Sequence, residues 1–344
     1  MLEWMDAADP GRVHTEGRMA RAALEDARDK VAALLGARSR EVVFTSGATE
    51  AVAAAVFGAA ALRPDQPIVL SGVEHSCVRD SSARHPHTVV AVDRLGQVDA
   101  DPLTALDAAL VHCQWANHEV GTLQPVADVI ERCRERGLLV HVDAAAAAGH
   151  VPIAFDDLGA DLMSVSAHKL GGPKGIGALL IRRGLRLPAL LVGGEQERAR
   201  RAGLEDVAAA VGFGAAAEAI PVDEPGRLRA LSQRVLEAAL AVPDVVAYGQ
   251  TPMGGGLPHI VCLGVGGVEA EPILLGLDQA GIAAHSGSSC SSESLEPSPV
   301  LEAMGVDAEH SLRISVGWST TGADVDRFAD AFPRVVAGLR ALRS

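Results

Sequence analysis

Apolar residues recur at helical spacing through GRMARAALEDARDKVAALLGA, residues 17–37. Leu24, Ala27, Val31, Leu34 and Leu35 share one face there, and Gly36 supplies a stop. The period then changes. Short runs rich in Val and Ile (EVVFTS, PIVLSG, TVVAVD, ALVHCQ, LLVHVD and LMSVSA) alternate with Ala-rich helical stretches or loops. That alternation predicts an α/β layer around a mainly parallel sheet. After about residue 200 two helical stretches, 205–218 and 226–241, precede short strands such as PHIVCL and HSLRISV, and a long helix ends the chain. The change predicts a larger domain over 15–200 and a smaller α+β domain over 201–344, with residues 1–14 packing on the latter.

In a parallel sheet, ligands gather beyond the carboxyl ends of the strands. The strand ends here are polar: VVF runs into TSGATE, IVLSG into VEHS, LVHCQWA into NHEVGT, LLVHV into DAAA, and LMSVSA into HKLGG. A glycine turn, three histidines, an aspartate and a lysine are thus expected along one edge. The Ser-Gly turn of TSGATE, opening a helix, presents backbone N–H groups that suit a phosphate, and a plain cap by Ser46 or Thr49 is the simpler account. Asp143 could pair with a cationic ring nitrogen or merely cap a helix. Lys169 could be a nucleophilic amine that forms a Schiff base with an aldehyde, or an ordinary loop lysine. Taken together, a phosphate cradle, an aspartate and a lysine at successive strand ends are what pyridoxal phosphate requires.

Composition narrows the classes. The 344 residues suffice for two domains, and 48% hydrophobic with 22% charged residues suits a globular chain with a sizeable core. A formal net charge of -14 argues against a nucleic-acid partner. No stretch is apolar for long enough to span a bilayer, and the acidic start MLEWMDAADP lacks a signal-peptide pattern, so a cytoplasmic location is expected. The five cysteines show no paired metal spacing and read as free thiols. Cys290 lies in HSGSSCSSESLEP, a Ser- and Gly-rich stretch without apolar periodicity, where a thiol is expected to be exposed and mobile. The other four fit buried structural positions.

The segments FTSGATE, VEHS, ANHEVGTLQPV, HVDAA, SAHKLGGPKGIGALLIRRG, GGEQERARRAG and SGSSCSSESLEPSPVLEAMG occur in the order seen in class V aminotransferase-fold enzymes. They most resemble the cysteine desulfurases of the NifS/IscS group, over nearly the whole chain. The resemblance implies the type I fold of pyridoxal-phosphate enzymes, with a mainly parallel seven-stranded sheet and a smaller C-terminal domain. It implies that Lys169 holds the cofactor's aldehyde. Ser166, His168, Thr49 and nearby backbone such as Ala48 would hold its phosphate. Asp143 would pair with the ring nitrogen, His75 would stack on the ring and shuttle protons, and His118 would lie near the phenolic oxygen. Arg313 would clamp the substrate carboxylate, and Cys290 would be the catalytic cysteine. L-cysteine would yield L-alanine and a Cys290 persulfide, whose sulfur passes to an acceptor protein of scaffold or tRNA-thiolation type, in a homodimer.

The chain departs from that pattern in places. Ala146 stands where the family has a glutamine, His118 replaces an asparagine, Val52 and Ala53 replace polar residues, and Leu204 replaces a threonine that reaches the partner subunit. The family's short first strand with its DNAATT-like motif has no counterpart in these residues. Two other readings stay open at this point: a class V lyase acting on selenocysteine or cysteine sulfinate, and a degenerate, non-catalytic paralogue acting as a binding partner.

Overall fold

The computed structural model describes residues 1–286 and 297–342. Seven strands form the first sheet: β1 (Val42–Thr45), β2 (Ile68–Ser71), β3 (His87–Val90), β4 (Leu110–Gln114), β5 (Val140–Asp143), β6 (Leu162–Ser166) and β7 (Gly177–Ile181). Their order is β1-β7-β6-β5-β4-β2-β3. The β3, β2, β4, β5 and β6 neighbours pair in parallel, while β7 runs antiparallel to both β6 and β1. The expected mainly parallel sheet is therefore present, with one reversed strand inside it.

Helices cover both faces, so most strands are buried throughout, as parallel strands require. Alternate residues supply the two sides. Val42, Phe44, Val111, Val140 and Val142 join Leu24, Val31, Ile130 and Phe213 in one core. Val43, Ile68, Leu70, Leu110 and Leu162 join Val52 and Val56 of the helix Ala48–Leu62 in another. The predicted first helix spans Thr15–Leu34, its N-terminus capped by His14, whose ring accepts the Gly17 N–H. Gly36 adopts φ +57°, a left-handed conformation suited to a residue without a Cβ, and ends it.

A second, antiparallel sheet contains β8 (Val245–Tyr248), β9 (Ile260–Val265), β10 (His285–Ser286) and β11 (Ser311–Ser315), in the order β10-β11-β9-β8. The helices Glu224–Leu240, Ala270–Gln279 and Gly322–Ala341 pack on it. Leu228, Leu263, Leu312, Ile273, Phe328 and Phe332 form its core. The helix Val207–Ala219 follows residue 200, yet Ala209, Ala210, Phe213 and Ala217 are buried in the first core against the helix Thr15–Leu34. The short turn Leu2–Trp4 packs on that same helix Val207–Ala219. The apolar cluster of Val73, Val120, Cys262, Leu301 and Met304 joins the two parts of the molecule. Among the described residues no helix is long and apolar enough to cross a membrane.

Candidate active site

Strands β1, β2, β4, β5 and β6 all end at one edge of the first sheet, and a cavity of about 330 Å³ opens there. Ala48, Thr49, His75, His118, Asp143, Ser166, His168 and Lys169 all line it. They come from five different chain segments, which the sheet alone brings together. Arg313 lines a neighbouring cavity of about 520 Å³ that shares His118, His168 and Lys169 with the first. Cys290 lies outside the described residues.

The anion side is built at the start of the helix Ala48–Leu62. Gly47 is its N-cap and supplies no side-chain cap, so the first-turn N–H groups face the cavity with the positive end of the helix dipole. Strand β7 presses close behind. A Cβ on Gly177 would lie 2.5 Å from the Val165 carbonyl and 2.8 Å from Gly47, so only glycine fits. Glu50 in the first turn would repel an anion if left alone. Its carboxylate accepts the Ser46 N–H at 2.7 Å and Arg201 Nε at 2.8 Å. Burial pushes that carboxyl up, but these bonds outweigh it and hold it below its ordinary value.

In the same cavity, Ser166 Oγ and His168 Nδ1 lie 2.8 Å apart. Burial, then the charges of Lys169 and Lys174, hold His168 below the usual imidazole range, so near neutrality it is uncharged. Lys169 sits in a short 3₁₀ turn, Ala167–Leu170, closed by Gly171 at φ +78°. Such a turn exposes the lysine beyond the strand end instead of burying it in the sheet.

Asp143 ends β5. Its Oδ1 accepts the Ala145 N–H at 3.0 Å and the Ser164 hydroxyl at 2.9 Å, so both bonds fall on one oxygen and Oδ2 has no partner among the described residues. His75 Nδ1 accepts the Cys77 N–H at 3.1 Å, so the neutral ring carries its proton on Nε2. The His118 ring meets it edge-on, with centroids 4.9 Å apart. Ala146 also lines the cavity.

Several participants gave no sign in the sequence. Gln114 and Cys77 also line the cavity. Glu74 is fully buried behind it. Its Oε1 accepts the Gln114 N–H at 2.9 Å and the Ser71 hydroxyl at 3.1 Å, tying the end of β2 to the end of β4. Burial, aided by the charge of Asp143, pushes its carboxyl up to about 7. Between its ordinary value of 4.5 and about 7, Glu74 is protonated in the folded chain and ionised in the unfolded one. Stability from this residue is therefore complete below that window and lost as pH rises through it. Glu74→Gln is expected to match the parent at pH 4.5 and to exceed it at pH 8 by a few kcal/mol, at about 1.4 kcal/mol per unit. Urea titrations at the two pH values check this.

The four described cysteines (Cys77, Cys113, Cys133 and Cys262) are free and buried, as expected of structural thiols. Burial pushes Cys133 and Cys262 up to about 12, which removes them as nucleophiles.

The chain belongs to the aminotransferase class-V family, whose sequence model matches residues 4–328. It is 40% identical over 352 residues to a cysteine desulfurase of Nostoc sp., covering 97% of this chain and 87% of that protein. It is 38% identical to the cysteine desulfurase IscS of Dictyoglomus turgidum, with 97% and 89% covered. A solved NifS-like protein superposes with a TM-score of 0.88 at 29% identity, over 98% of this chain and 94% of that one. The expected family and the type I fold are thus found. Enzymes of this family depend on pyridoxal phosphate. The lining suits that group: open N–H donors for a phosphate, a half-satisfied carboxylate for a ring nitrogen and a primary amine for an aldehyde.

Proposed function

We propose that this cavity binds pyridoxal phosphate and L-cysteine, and that the chain is a cysteine desulfurase that releases L-alanine and delivers sulfur through Cys290. The observation that carries the proposal is the convergence of Lys169, Asp143, His75 and the Ala48–Thr49 helix start on one cavity. When bound, pyridoxal phosphate supplies a sink for electrons freed at the amino acid's α-carbon. The chain's own groups do the rest. The N–H groups of Ala48 and Thr49, with Ser166 and His168, would hold the phosphate, and Asp143 Oδ2 would pair with the ring nitrogen. Arg313, held by its Nη1 bond to the His118 carbonyl at 3.1 Å, takes the substrate carboxylate with its planar fork of donors. The Lys169 amine moves the α-proton. His75, its Nδ1 already engaged, acts as a donor through Nε2 rather than as a base.

The Cys290 thiolate attacks the substrate sulfur. An S–S bond forms, the Cβ–S bond breaks with its electron pair passing to carbon, and a proton there completes alanine. The persulfide then passes its outer sulfur to an acceptor protein. A homodimer accords with exposed apolar side chains at Val192 and Leu204.

The test is direct. Purified chain with pyridoxal phosphate, L-cysteine and a reductant is expected to give alanine and sulfide in equal amounts. Cys290→Ala is expected to lose both by at least about 100-fold while keeping the cofactor's visible band. Undiminished sulfide release from Cys290→Ala would refute the assignment.

A further inference from the structure

Lys169 and Arg313 stand on different parts of the molecule, one beyond β6 of the first sheet and the other on β11 of the second. In the proposed function Lys169 acts at the α-carbon and Arg313 holds the carboxylate of one substrate. Those two groups are directly bonded in an α-amino acid, so the spacing of the two elements must be held closely. A displacement of 1 Å can cost about 100-fold.

A pair of histidines joins these elements. His150 lies in the turn after β5, and its Nε2 lies 3.3 Å from the Lys169 carbonyl oxygen. His259 immediately precedes β9, and its carbonyl accepts the Val316 N–H at 3.0 Å, just beyond the end of the Arg313 strand. The two rings stack, with centroids 3.8 Å apart and planes at 28°. Burial holds both imidazoles below their ordinary range, so neither charge opposes the stack. The charged groups around the pair are Lys169, Arg313 and Glu224. A neutral His150 that donates from Nε2 leaves Nδ1 bare. Nδ1 of His150 and Nδ1 of His259 are both buried and have no hydrogen-bond partner among the described residues. Each such atom costs about 1–3 kcal/mol. Both atoms are sealed from solvent, although the two residues border the cavity that Arg313 and Lys169 line. A joint that tolerates two such atoms is kept for its shape.

We propose that His150 and His259 are positioning residues whose stacked rings set the distance between Lys169 and Arg313, and so fit the site to α-amino acids. This rests on the proposed function only in taking Lys169 and Arg313 as the two ends of the substrate site. It does not depend on sulfur chemistry.

The experiment is a titration of the holoenzyme with L-alanine, followed by the visible spectrum, alongside release of pyridoxal phosphate on dilution. His259→Ala is expected to weaken L-alanine binding about tenfold with cofactor release unchanged. His259→Phe keeps the stacked ring and loses the buried nitrogen, and is expected to bind L-alanine within about threefold of the parent. Equal L-alanine binding by His259→Ala and the parent would overturn the proposal. So would parallel loss of cofactor and L-alanine, which marks general collapse, or a His259→Phe variant as weak as His259→Ala. A parent that binds L-alanine but makes no sulfide from L-cysteine would sink the desulfurase reading and leave this inference standing.

Discussion

Lys169→Ala is expected to lower alanine release from L-cysteine by at least about three orders of magnitude. The substitution removes the amine proposed to hold an aldehyde and move a proton at the substrate's α-carbon. The loss should be purely chemical. The side chain is exposed at the cavity, and the turn that carries it is set by Gly171 and by its backbone bond to Ala167. The thermal midpoint is therefore expected to stay within a few degrees of the parent's. The proposed phosphate and ring-nitrogen contacts are untouched by the substitution, so the variant is expected to bind pyridoxal phosphate reversibly and to release it on dialysis. Lys169→Arg should not rescue, because a guanidinium stays protonated and does not act as a nucleophile. Quantifying alanine against time, with cofactor content before and after dialysis, checks all three points. Turnover in Lys169→Ala within tenfold of the parent would contradict the role given to this residue.

The largest expected effect on stability is at Arg28. Its Nη1 and Nη2 meet Glu197 Oε2 and Oε1 at 2.6 and 2.8 Å, and Nη1 also reaches the Val42 carbonyl at 3.0 Å. Glu197 Oε2 accepts the Phe44 N–H as well, and the guanidinium lies 4.7 Å over the Phe44 ring. Both side chains are almost wholly buried. Breaking such a pair strands a carboxylate away from water, so Arg28→Met is expected to cost about 3–5 kcal/mol in a urea titration. Arg28→Met combined with Glu197→Gln is expected to recover part of it, since the uncompensated charge is then gone. The pair also holds a strained turn. Glu197, Arg198 and Ala199 have φ values of 47°, 57° and 60°, three successive left-handed residues without a glycine. The segment continues to Arg201, which holds Glu50, which in turn holds the Ser46 N–H beside the helix start at the cavity. Arg28→Met should therefore also speed cofactor release, although Arg28 is remote from the cavity lining.

That coupling shows where reading the chain stops. Nothing local in the first helix names Glu197 as the partner of the Arg28 charge, because helical periodicity concerns near neighbours alone. Its partner is 169 residues away in sequence. The helix Val207–Ala219 is apolar on every side, VAAAVGFGAAAEA, so it has no stripe to say which core it joins. Packing against the helix Thr15–Leu34 settles that it belongs with the first sheet. Nothing local in the sequence brings the rings of His150 and His259 together.

Local chemistry made the rest legible. Runs such as LVHCQ and LMSVS must be buried strands because they are short, apolar and bounded by breakers, and they are β4 and β6. A parallel sheet then forces their carboxyl ends to one edge, so polar residues at successive strand ends had to meet. By itself the sequence determined the sheet, the edge and the groups gathered there: Lys169, Asp143, His75 and the helix start at Ala48. The tertiary structure alone decided what holds those groups at working distances. The buried Arg28–Glu197 pair, the carboxyl of Glu74 and the contacts across the two sheets join residues far apart in the chain. Side-chain spacing reports on neighbours a few residues away, and only the packed fold makes distant ones touch.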